Sequence, residues 1–397
     1  MTETTSILAG VRVLDFGRYI AGPYCAALLA DLGADVIRIE RLEGGEDRWI
    51  LPVGADGVGA LYIAMNRNKR GMTLDPACTE GRAIVARLVA TADVVIANLP
   101  PEVLLALGLD LVSLRAIKPD IILSTTTAFG AGGPWSEKYG FDGIGQAMCG
   151  SAYLTGTPEQ PLRAVVPWVD FGTATMSAFG TLAALMARAK TGRGQKVETA
   201  LLHTAVAFNN AMLIEQAVMA TNREAILNRG YISGPSDLYR TQDGWIVVSC
   251  VGNPMFKRIA RLLGEEAWIT DPRFHDDAAR GEHGEYLSAR VTAWTETQTT
   301  AQALAALEKV HAPAAPLHSP QQTLNDPHIQ ATGMLVDSDY PSLARAAPLA
   351  STPFDLSETP TTPTQRAPVL GEHTDEILRE LGFDDAAILG LRERRVI

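Results

Sequence analysis

Short strands near the N-terminus, joined by a turn and a helix, are the feature that most constrains the fold. Residues 11–16 and 35–40 have the composition of strands. Between them lie a glycine-containing turn at residues 17–23 and an apolar helix at residues 24–32, which ends at Gly33. Strand, turn, helix and strand in this order predict a βαβ unit, in which a helix joins two parallel strands.

The following stretch continues the same pattern. Strands are predicted at residues 93–98, 120–125 and 196–202, and helices at residues 79–91 and 203–219. The strands are β-branched and continuously apolar, as expected when both faces of a parallel sheet are covered. The sequence therefore predicts a Rossmann-like open α/β sheet. Ligands of such sheets bind beyond the carboxyl ends of the strands.

The composition changes near residue 222. Two short strands at residues 238–240 and 245–250, joined through Asp243-Gly244, predict a hairpin, and helical patterns follow at residues 255–263, 286–296 and 301–310. A Thr/Pro-rich stretch at residues 360–368 precedes a helix at residues 374–381. We predict a large α/β domain over residues 1–222, a small α/β domain over residues 223–325 and a C-terminal segment over residues 326–397.

Charge and cysteine content exclude several classes of protein. The 397 residues carry a formal net charge of −11, which argues against nucleic-acid binding, because phosphates require a basic surface. The four cysteines are widely spaced, so we expect free thiols in a reducing compartment and no metal site. Residues 1–5 show no signal-peptide pattern. We therefore expect a cytoplasmic protein with no membrane span.

A nucleotide-dependent oxidoreductase is the first class to consider for such a sheet. However, the turn after the first strand reads Gly-Arg-Tyr-Ile-Ala-Gly-Pro over residues 17–23, which is not the G-x-G-x-x-G fingerprint. No P-loop is present either. The sequence therefore disfavours a nicotinamide cofactor, and failure to bind NAD would settle the point.

Asp170 is the candidate catalytic residue. A nearly apolar stretch runs into it, and residues 171–187 carry no charge. Large apolar residues at three-to-four-residue spacing predict a buried helix that ends at residues 191–194. Asp170 would then lie at or just before the helix N-terminus, as an ordinary N-cap. Alternatively, Trp168 and Phe171 partly desolvate it and make it reactive.

Motifs in order along the chain carry a family resemblance. They are Leu8 to Asp15, Ala21-Gly22-Pro23, Leu32 to Glu40, Asn66 to Arg70, Gly140-Phe141-Asp142, Asp170 with Thr191 to Gln195, and Gly371 to Asp375. Over nearly its whole length the chain resembles the class III CoA-transferase family, which includes formyl-CoA and carnitine CoA-transferases and 2-methylacyl-CoA racemases.

The resemblance implies both a fold and a reaction. Both chain ends would form the large domain, and two subunits would be threaded through each other as interlocked rings in a homodimer. The residue matching Asp170 attacks an acyl-CoA thioester and passes through an anhydride and an aspartyl-CoA thioester. Coenzyme A would enter as part of the acyl-CoA substrate, with a carboxylic acid as acceptor, and no permanently bound cofactor is expected.

Two alternatives remain open. The racemases of the family need a histidine as second acid/base, and the matching position here is Phe141, whose ring cannot carry a proton. The chain could also be a non-catalytic CoA-binding subunit of a heteromeric transferase. Such a subunit would have no need of Asp170.

The resemblance also implies positions along coenzyme A. The expected contacts are Arg18, Ile20, Ala21, Arg41, Leu74, Asp75, Asn98, Leu99 and Lys138. Family members often carry basic residues where this chain has Ala77, Pro100 and Ala106, so binding of the phosphates is expected to be weaker unless other cations compensate. The candidates for compensation are Arg18, Arg67, Lys69 and Arg70. The histidines, such as His203 and His311, are expected to be structural.

Overall fold

A computed structural model describes residues 6–397, so the prediction that Met1–Thr5 begin no signal peptide lies outside the described residues. The chain forms two compact units. Among the described residues, the first contains residues 6–149, Ala164–Ala217 and Gln330–Ile397, and the second contains Gly150–Arg163 and Val218–Ile329. The predicted bounds placed residues 150–163 in the large domain. They lie instead in the second unit, where Gly156 forms a β-bridge with Leu227.

In the first half of the chain, one or two α-helices follow each strand. They are β1 (Arg12–Asp15), α1 (Ala21–Asp31), β2 (Asp35–Glu40), α2 (Ala60–Met65), β3 (Arg70–Thr73), α3 (Thr79–Thr91), β4 (Val94–Ala97), α4 (Pro101–Ala106), α5 (Leu111–Ile117), β5 (Ile122–Thr127), α6 (Asp142–Met148), α7 (Trp168–Thr191), β6 (Lys196–Ala200), α8 (Leu201–Phe208) and α9 (Asn210–Met219).

The second half begins with short antiparallel strands and continues mainly as helices. Its elements are β7 (Asp237–Arg240), β8 (Trp245–Val248), α10 (Asn253–Leu262), α11 (Asp277–Glu282), α12 (Gly284–Thr295), α13 (Thr300–Lys309), β9 (Ala314–Pro316), α14 (Pro320–Asn325), α15 (Pro327–Ala331), β10 (Leu335–Ser338), β11 (Ala347–Ala350), α16 (Thr374–Glu380) and α17 (Asp385–Glu393).

Six parallel strands form the sheet of the first unit, in the order β3-β2-β1-β4-β5-β6. In the register, Val13 of β1 lies between Val36 of β2 and Val94 of β4. The chain reverses its direction of travel across the sheet between β1 and β4, and a crevice forms beyond their carboxyl ends at such a switch point. The predicted open parallel sheet is therefore confirmed.

Neighbouring residues of each strand point to opposite sides of the sheet, so the apolar strands present a packing surface on both faces. Helices cover both of these faces. Val13 packs with α1 and α7 in one core, whereas Leu14 packs with α3 and the C-terminal helices α16 and α17 in the other. Each core buries a set of aliphatic side chains, and this burial is the main driving force for folding. The C-terminal residues thus complete the core of the first unit.

Helix α7 differs from the buried helix that its apolar spacing predicts. Its buried residues are mostly small, including Ala174, Ala178 and Ala184, and this face packs closely on α1. The large side chains of Phe179 and Met186 are 71% and 66% exposed. Of the large residues that predicted a buried helix, Leu182 and Leu185 pack partly against the core, whereas the closest face is built from small residues, which allow two helices to approach closely.

In the second unit, β7, β8 and β9 form an antiparallel sheet, so the predicted hairpin is confirmed. Aromatic side chains from Tyr239, Phe256, Trp268 and Phe274 fill its core. The helix predicted at residues 203–219 is instead two helices, α8 and α9, which are interrupted at Asn209. No helix within residues 6–397 has the length and apolar character needed to cross a membrane.

Candidate active site

Buried charged side chains fix the turn after β1 in place. Asp15, at the end of β1, accepts hydrogen bonds from the Gly17 N–H and from the Lys69 ammonium, both at 2.8 Å. Lys69 also donates to the carbonyl of Pro23 at 2.7 Å, and Arg38 donates to the carbonyl of Gly17. Both ends of the turn are therefore fixed to one buried ion cluster, which is defined by Asp15, Arg38 and Lys69.

Asn98, which follows β4, holds the middle of the same turn. Its side-chain oxygen accepts from the Arg18 N–H at 2.6 Å, and its side-chain nitrogen donates to the Arg18 carbonyl at 2.8 Å. Gly22 must be glycine here, because an added Cβ would lie 2.9 Å from the Asn98 oxygen. The next residue after Arg18 is Tyr19, which has a φ of 60° in the left-handed region. The turn therefore has a single well-defined conformation.

Asp170 lies at the N-terminus of α7, as predicted, but as the third residue of the helix and not as its N-cap. The N-cap position is Pro167, whose side chain cannot cap. The missing cap comes instead from Asp142 of α6. Its Oδ1 accepts the backbone N–H groups of Val169 at 2.7 Å and of Asp170 at 3.1 Å. Within residues 6–397, the carboxylate oxygens of Asp170 accept no hydrogen bond and no cation pairs with them.

The environment of Asp170 disfavours its charged form. Burial, and then the field of the Asp142 carboxylate, raise the pKa of Asp170 to about 7. Shifts of this kind mark carboxylates that are prepared for chemistry rather than for ion pairing. The expected desolvation of Asp170 is therefore present. Its aromatic neighbours are themselves packed, Phe171 against Tyr24 and Trp168 against Phe208.

A cavity of about 310 Å³ opens beyond the carboxyl ends of β1, β4 and β5, at the switch point of the sheet, and Asp170 lies in its wall. The segments after these three strands line it, together with residues 136–141 and Leu201. Arg18 and Lys138 bring positive charge to the cavity, and Glu102 and Glu137 bring negative charge. The cavity thus offers a ligand both apolar surface and side chains of either charge.

The structure brings most of the predicted site residues together in this cavity. Those that line it are Arg18, Ile20, Ala21, Asn98, Leu99, Lys138 and Asp170. The amide of Asn98 is committed to the turn, and the Lys138 ammonium lies 3.9 Å from the ring centroid of Trp135. Ile20 and Ala21 form the N-terminal end of α1, which has no side-chain cap.

Three predicted contacts are not part of the cavity lining. Arg41 is largely exposed and pairs with Glu46 at 3.3 Å. Leu74 is wholly buried in the core, so its side chain cannot reach a ligand. Asp75 instead accepts the backbone N–H of Ala77 at 3.0 Å. Whether the backbone here meets a long ligand stays a prediction.

The suggestion that Arg67, Lys69 and Arg70 compensate for the missing basic residues is wrong. Arg67 binds Asp31 with two hydrogen bonds, of 2.6 and 3.2 Å, and the side chain of Lys69 is fully buried against Asp15. Arg70 pairs with Asp35 at 2.8 Å. Each is committed to an ion pair inside the fold, so of the four candidates only Arg18 reaches the cavity.

Sequence reasoning missed the role of Asp142. The residue belongs to the Gly140-Phe141-Asp142 motif, which contributed to the family resemblance, but the sequence analysis gave Asp142 no role. Phe141 lines the cavity and packs edge-on against Tyr19 at 5.6 Å. No proton carrier therefore stands at the position where a racemase of this family needs one. His203 and His311 do not line the cavity.

Comparison with known proteins places the chain among characterised relatives. The family model described as CoA-transferase family III matches residues 8–374. The chain belongs to this family. The expected family is confirmed, and with it the expectation that the chain is an enzyme of the CoA-transferase class.

Individual relatives match over almost their full lengths. A succinyl-CoA–D-citramalate CoA-transferase of Chloroflexus aurantiacus is 34% identical, over 98% of this chain and 98% of the relative. A formyl-CoA:oxalate CoA-transferase of Rhodopseudomonas palustris is 32% identical, over 98% of this chain and 97% of the relative. Among solved structures, a CAIB/BAIF family protein of Brucella suis shares 33% identity and a TM-score of 0.83, covering 95% of this chain and 99% of that one.

Proposed function

We propose that this enzyme moves coenzyme A from an acyl-CoA donor to a carboxylic acid acceptor, with Asp170 as covalent nucleophile. The observation that carries the proposal is the unpaired, partly desolvated Asp170 carboxylate in the wall of the cavity. A carboxylate is a weak nucleophile in water. Removing its hydration and raising its basicity strengthen it, and the same shelter protects an anhydride from hydrolysis.

The first half of the reaction loads coenzyme A onto Asp170. A carboxylate oxygen of Asp170 attacks the thioester carbonyl carbon of the donor, and the C–S bond breaks. CoA departs as a thiolate, and the donor acyl group stays bound to Asp170 in a mixed anhydride. The thiolate then attacks the aspartyl carbonyl of that anhydride. The donor acid leaves as a carboxylate, and an aspartyl-CoA thioester remains.

The second half repeats these steps in reverse order with the acceptor. The acceptor carboxylate attacks the aspartyl thioester and releases the thiolate, which gives a second anhydride. The thiolate attacks the acceptor's acyl carbon, forms the new acyl-CoA and restores the Asp170 carboxylate. Coenzyme A acts throughout as part of the substrate, and no resident cofactor is required by this scheme.

Positioning of the thioester falls to the turn after β1. Ile20 and Ala21 line the cavity at the uncapped N-terminus of α1, where free N–H groups and the helix dipole favour a developing oxyanion. Arg18 and Lys138 are the cations available in the cavity for the anionic portions of the substrate. The buried ion cluster and Asn98 keep this turn in place.

The deciding experiment is a transfer assay with a panel of acyl-CoAs and acids. The names of the relatives make succinyl-CoA, formyl-CoA, citramalate and oxalate sensible first members. With the best pair, Asp170→Ala is expected to lose at least about a thousandfold in kcat, since the scheme has no other nucleophile. Full exchange by this variant would overturn the proposal. Epimerisation of a 2-methylacyl-CoA without transfer would favour the racemase.

We also propose that two copies assemble as interlocked rings. Large apolar side chains on α7, α8 and α9 stand exposed in the single chain, among them Phe179, Met186, Phe208 and Ile214. Patches of this kind commonly mark association surfaces. Mixing tagged and untagged dimers should give no mixed dimers until both are unfolded and refolded together. Rapid exchange of native subunits would exclude interlocking, and a requirement for a second gene product would favour the heteromeric alternative.

A further inference from the structure

The carboxylate of Asp142 organises the segment that carries Asp170. It is buried, with 6% of its surface exposed. Its Oδ1 accepts two N–H groups of the first turn of α7, from Val169 and Asp170, and its Oδ2 accepts from the Gln146 side chain at 2.5 Å. Three donors thus compensate the burial of one carboxylate.

Gln146 extends this arrangement to the segment that leads into α7. Its Oε1 accepts the N–H of Ala164 at 2.8 Å, and its Nε2 donates to the Ala164 carbonyl at 3.3 Å. Asp142 and Gln146 lie one turn apart on α6 and face the same way. Together they fix the backbone on both sides of Pro167, where α7 begins.

This arrangement has a direct consequence for Asp170. An acidic residue at the third position of a helix commonly reaches back to the backbone N–H of the N-cap residue, but the N-cap here is Pro167, which has no N–H. The N–H groups of the second and third positions are usually taken by the N-cap side chain. Here Asp142 already occupies the N–H of Asp170 itself and that of Val169. The Asp170 carboxylate is therefore free of a capping role and is left in the cavity wall.

We propose that Asp142 is the positioning residue for Asp170: it caps α7 in place of the nucleophile and holds its backbone so that the carboxylate stands unpaired in the cavity. The inference rests on the proposed function. The negative charge of Asp142 adds a second effect, since its field contributes to keeping the Asp170 carboxylate basic. A basic carboxylate attacks a thioester more readily than an acidic one.

Asp142→Ala removes both the cap on α7 and the negative charge, whereas Asp142→Asn removes the charge and keeps one acceptor oxygen. We expect Asp142→Ala to lower kcat by about 100-fold, as small misplacements of a reacting group do, with the KM for acyl-CoA changed by less than about threefold. For the wild-type we expect the rate to rise with pH near the Asp170 pKa of about 7, and in Asp142→Asn this rise is expected to move to lower pH.

The charged and titratable groups facing Asp170 define what this pH shift can report. They are Asp142 on α6 and, around the cavity, Arg18, Glu102, Glu137, Lys138 and Tyr139. Within the described residues, Asp142 is the group whose charge raises the pKa of Asp170. A shift seen in Asp142→Asn but not in a Glu137→Gln variant therefore assigns the effect to Asp142.

Asp110 provides a matched control for the loss of a helix cap. It caps α5 by accepting the N–H groups of Val112 at 3.0 Å and Ser113 at 3.1 Å, and it does not line the cavity. Asp110→Ala should therefore lower stability, though less than Asp142→Ala because the Asp110 cap is more exposed to solvent, yet leave kcat within about twofold of wild-type. Equal losses of kcat in the two variants would show that capping in general, not the position of Asp170, is what matters.

Trapping of the covalent intermediate separates this inference from the proposed function. Wild-type and both Asp142 variants are mixed with the best acyl-CoA, quenched with hydroxylamine and followed by peptide mass spectrometry. Slow appearance of the Asp170 adduct in Asp142→Ala, with fast appearance in wild-type, supports the inference. Equal rates overturn it and leave the proposed function standing. Absence of any Asp170 adduct in wild-type overturns both.

Discussion

The first unit shelters the carboxylates of Asp15 and Asp170, whose pKa values shift in opposite directions. Asp15 faces two cations, Lys69 at 2.8 Å and Arg38 at 3.6 Å, and these partners hold its pKa below its usual value despite complete burial. No cation pairs with Asp170 within residues 6–397, and burial, followed by the field of the Asp142 carboxylate, raises its pKa to about 7. Burial alone does not make a carboxylate reactive. The charge of its neighbours decides whether it stabilises the fold or stays available.

The largest stability effect is expected at the paired carboxylate. Asp15→Asn leaves the Lys69 ammonium and the Arg38 guanidinium buried with one partner fewer. Breaking a buried ion pair in this way costs about 3–5 kcal/mol, so we expect a loss near the lower end, because Lys69, whose pKa burial already lowers to about 8, can shed its proton. Urea denaturation at pH 7 measures this. An unchanged midpoint would mean that the ion cluster does not hold the turn.

At Asp170, the unpaired carboxylate, substitution by Asn is expected to raise the stability of the protein. The folded protein holds the Asp170 proton more tightly than the unfolded chain does, because the pKa rises from 3.8 to about 7. Wild-type stability should therefore fall as the pH rises from about 4 to about 7 through this group. Asp170→Asn removes that loss and should be more stable than wild-type at pH 8 by about 2 kcal/mol, after allowance for partial exposure.

Asp15 provides the control for this pH dependence. Its pKa is lowered on folding, so its contribution is present above pH 4 and is lost as the pH falls through the folded pKa. The contribution of Asp15 is the same in both proteins and cancels in their difference. The free energy of unfolding of Asp170→Asn relative to wild-type should therefore grow between about pH 4 and 7 and then level off. A difference that is constant with pH would contradict the raised pKa of Asp170.

The smallest effect concerns two arginines that share Glu46. Arg18 lines the cavity and lies 3.5 Å from Glu46, whereas Arg41 is 54% exposed and pairs with Glu46 from outside the cavity lining. Arg18→Ala should raise the KM for acyl-CoA by about tenfold, the value of one charge-assisted contact, and Arg41→Ala by less than about threefold, since exposed charges are screened. A larger effect at Arg41 would support the contact between Arg41 and CoA that the family resemblance implies.

Local patterns were sufficient to predict much of the fold. The apolar runs that became β1, β2, β4 and β5 identified the sheet, because continuous burial selects continuous aliphatic stretches. Strand β3 was missed, since Arg-Gly-Met-Thr at residues 70–73 is too short and polar to stand out. Its position is decided by pairing with β2, which the sequence does not display.

The site was predicted where a residue's role depends on nearby sequence, and missed where it depends on distant contacts. Asp170 was found from the apolar stretches around it. Its cap comes from Asp142, which lies 28 residues away, so the sequence alone suggested that Asp170 capped its own helix. Lys69 was likewise a candidate for binding CoA phosphates, but the fold buries it against Asp15. Ion pairing and burial are properties of tertiary structure.

The central claim is that Asp170 becomes covalently bound to coenzyme A. Incubation of the wild-type enzyme with the best acyl-CoA, followed by borohydride reduction, should convert Asp170 to homoserine, because reduction of an aspartyl thioester yields the alcohol. Peptide mass spectrometry should find this change at Asp170, in amounts that depend on added donor, with Asp15 unmodified in the same sample. An enzyme that transfers CoA at full rate while Asp170 remains unmodified would contradict the account.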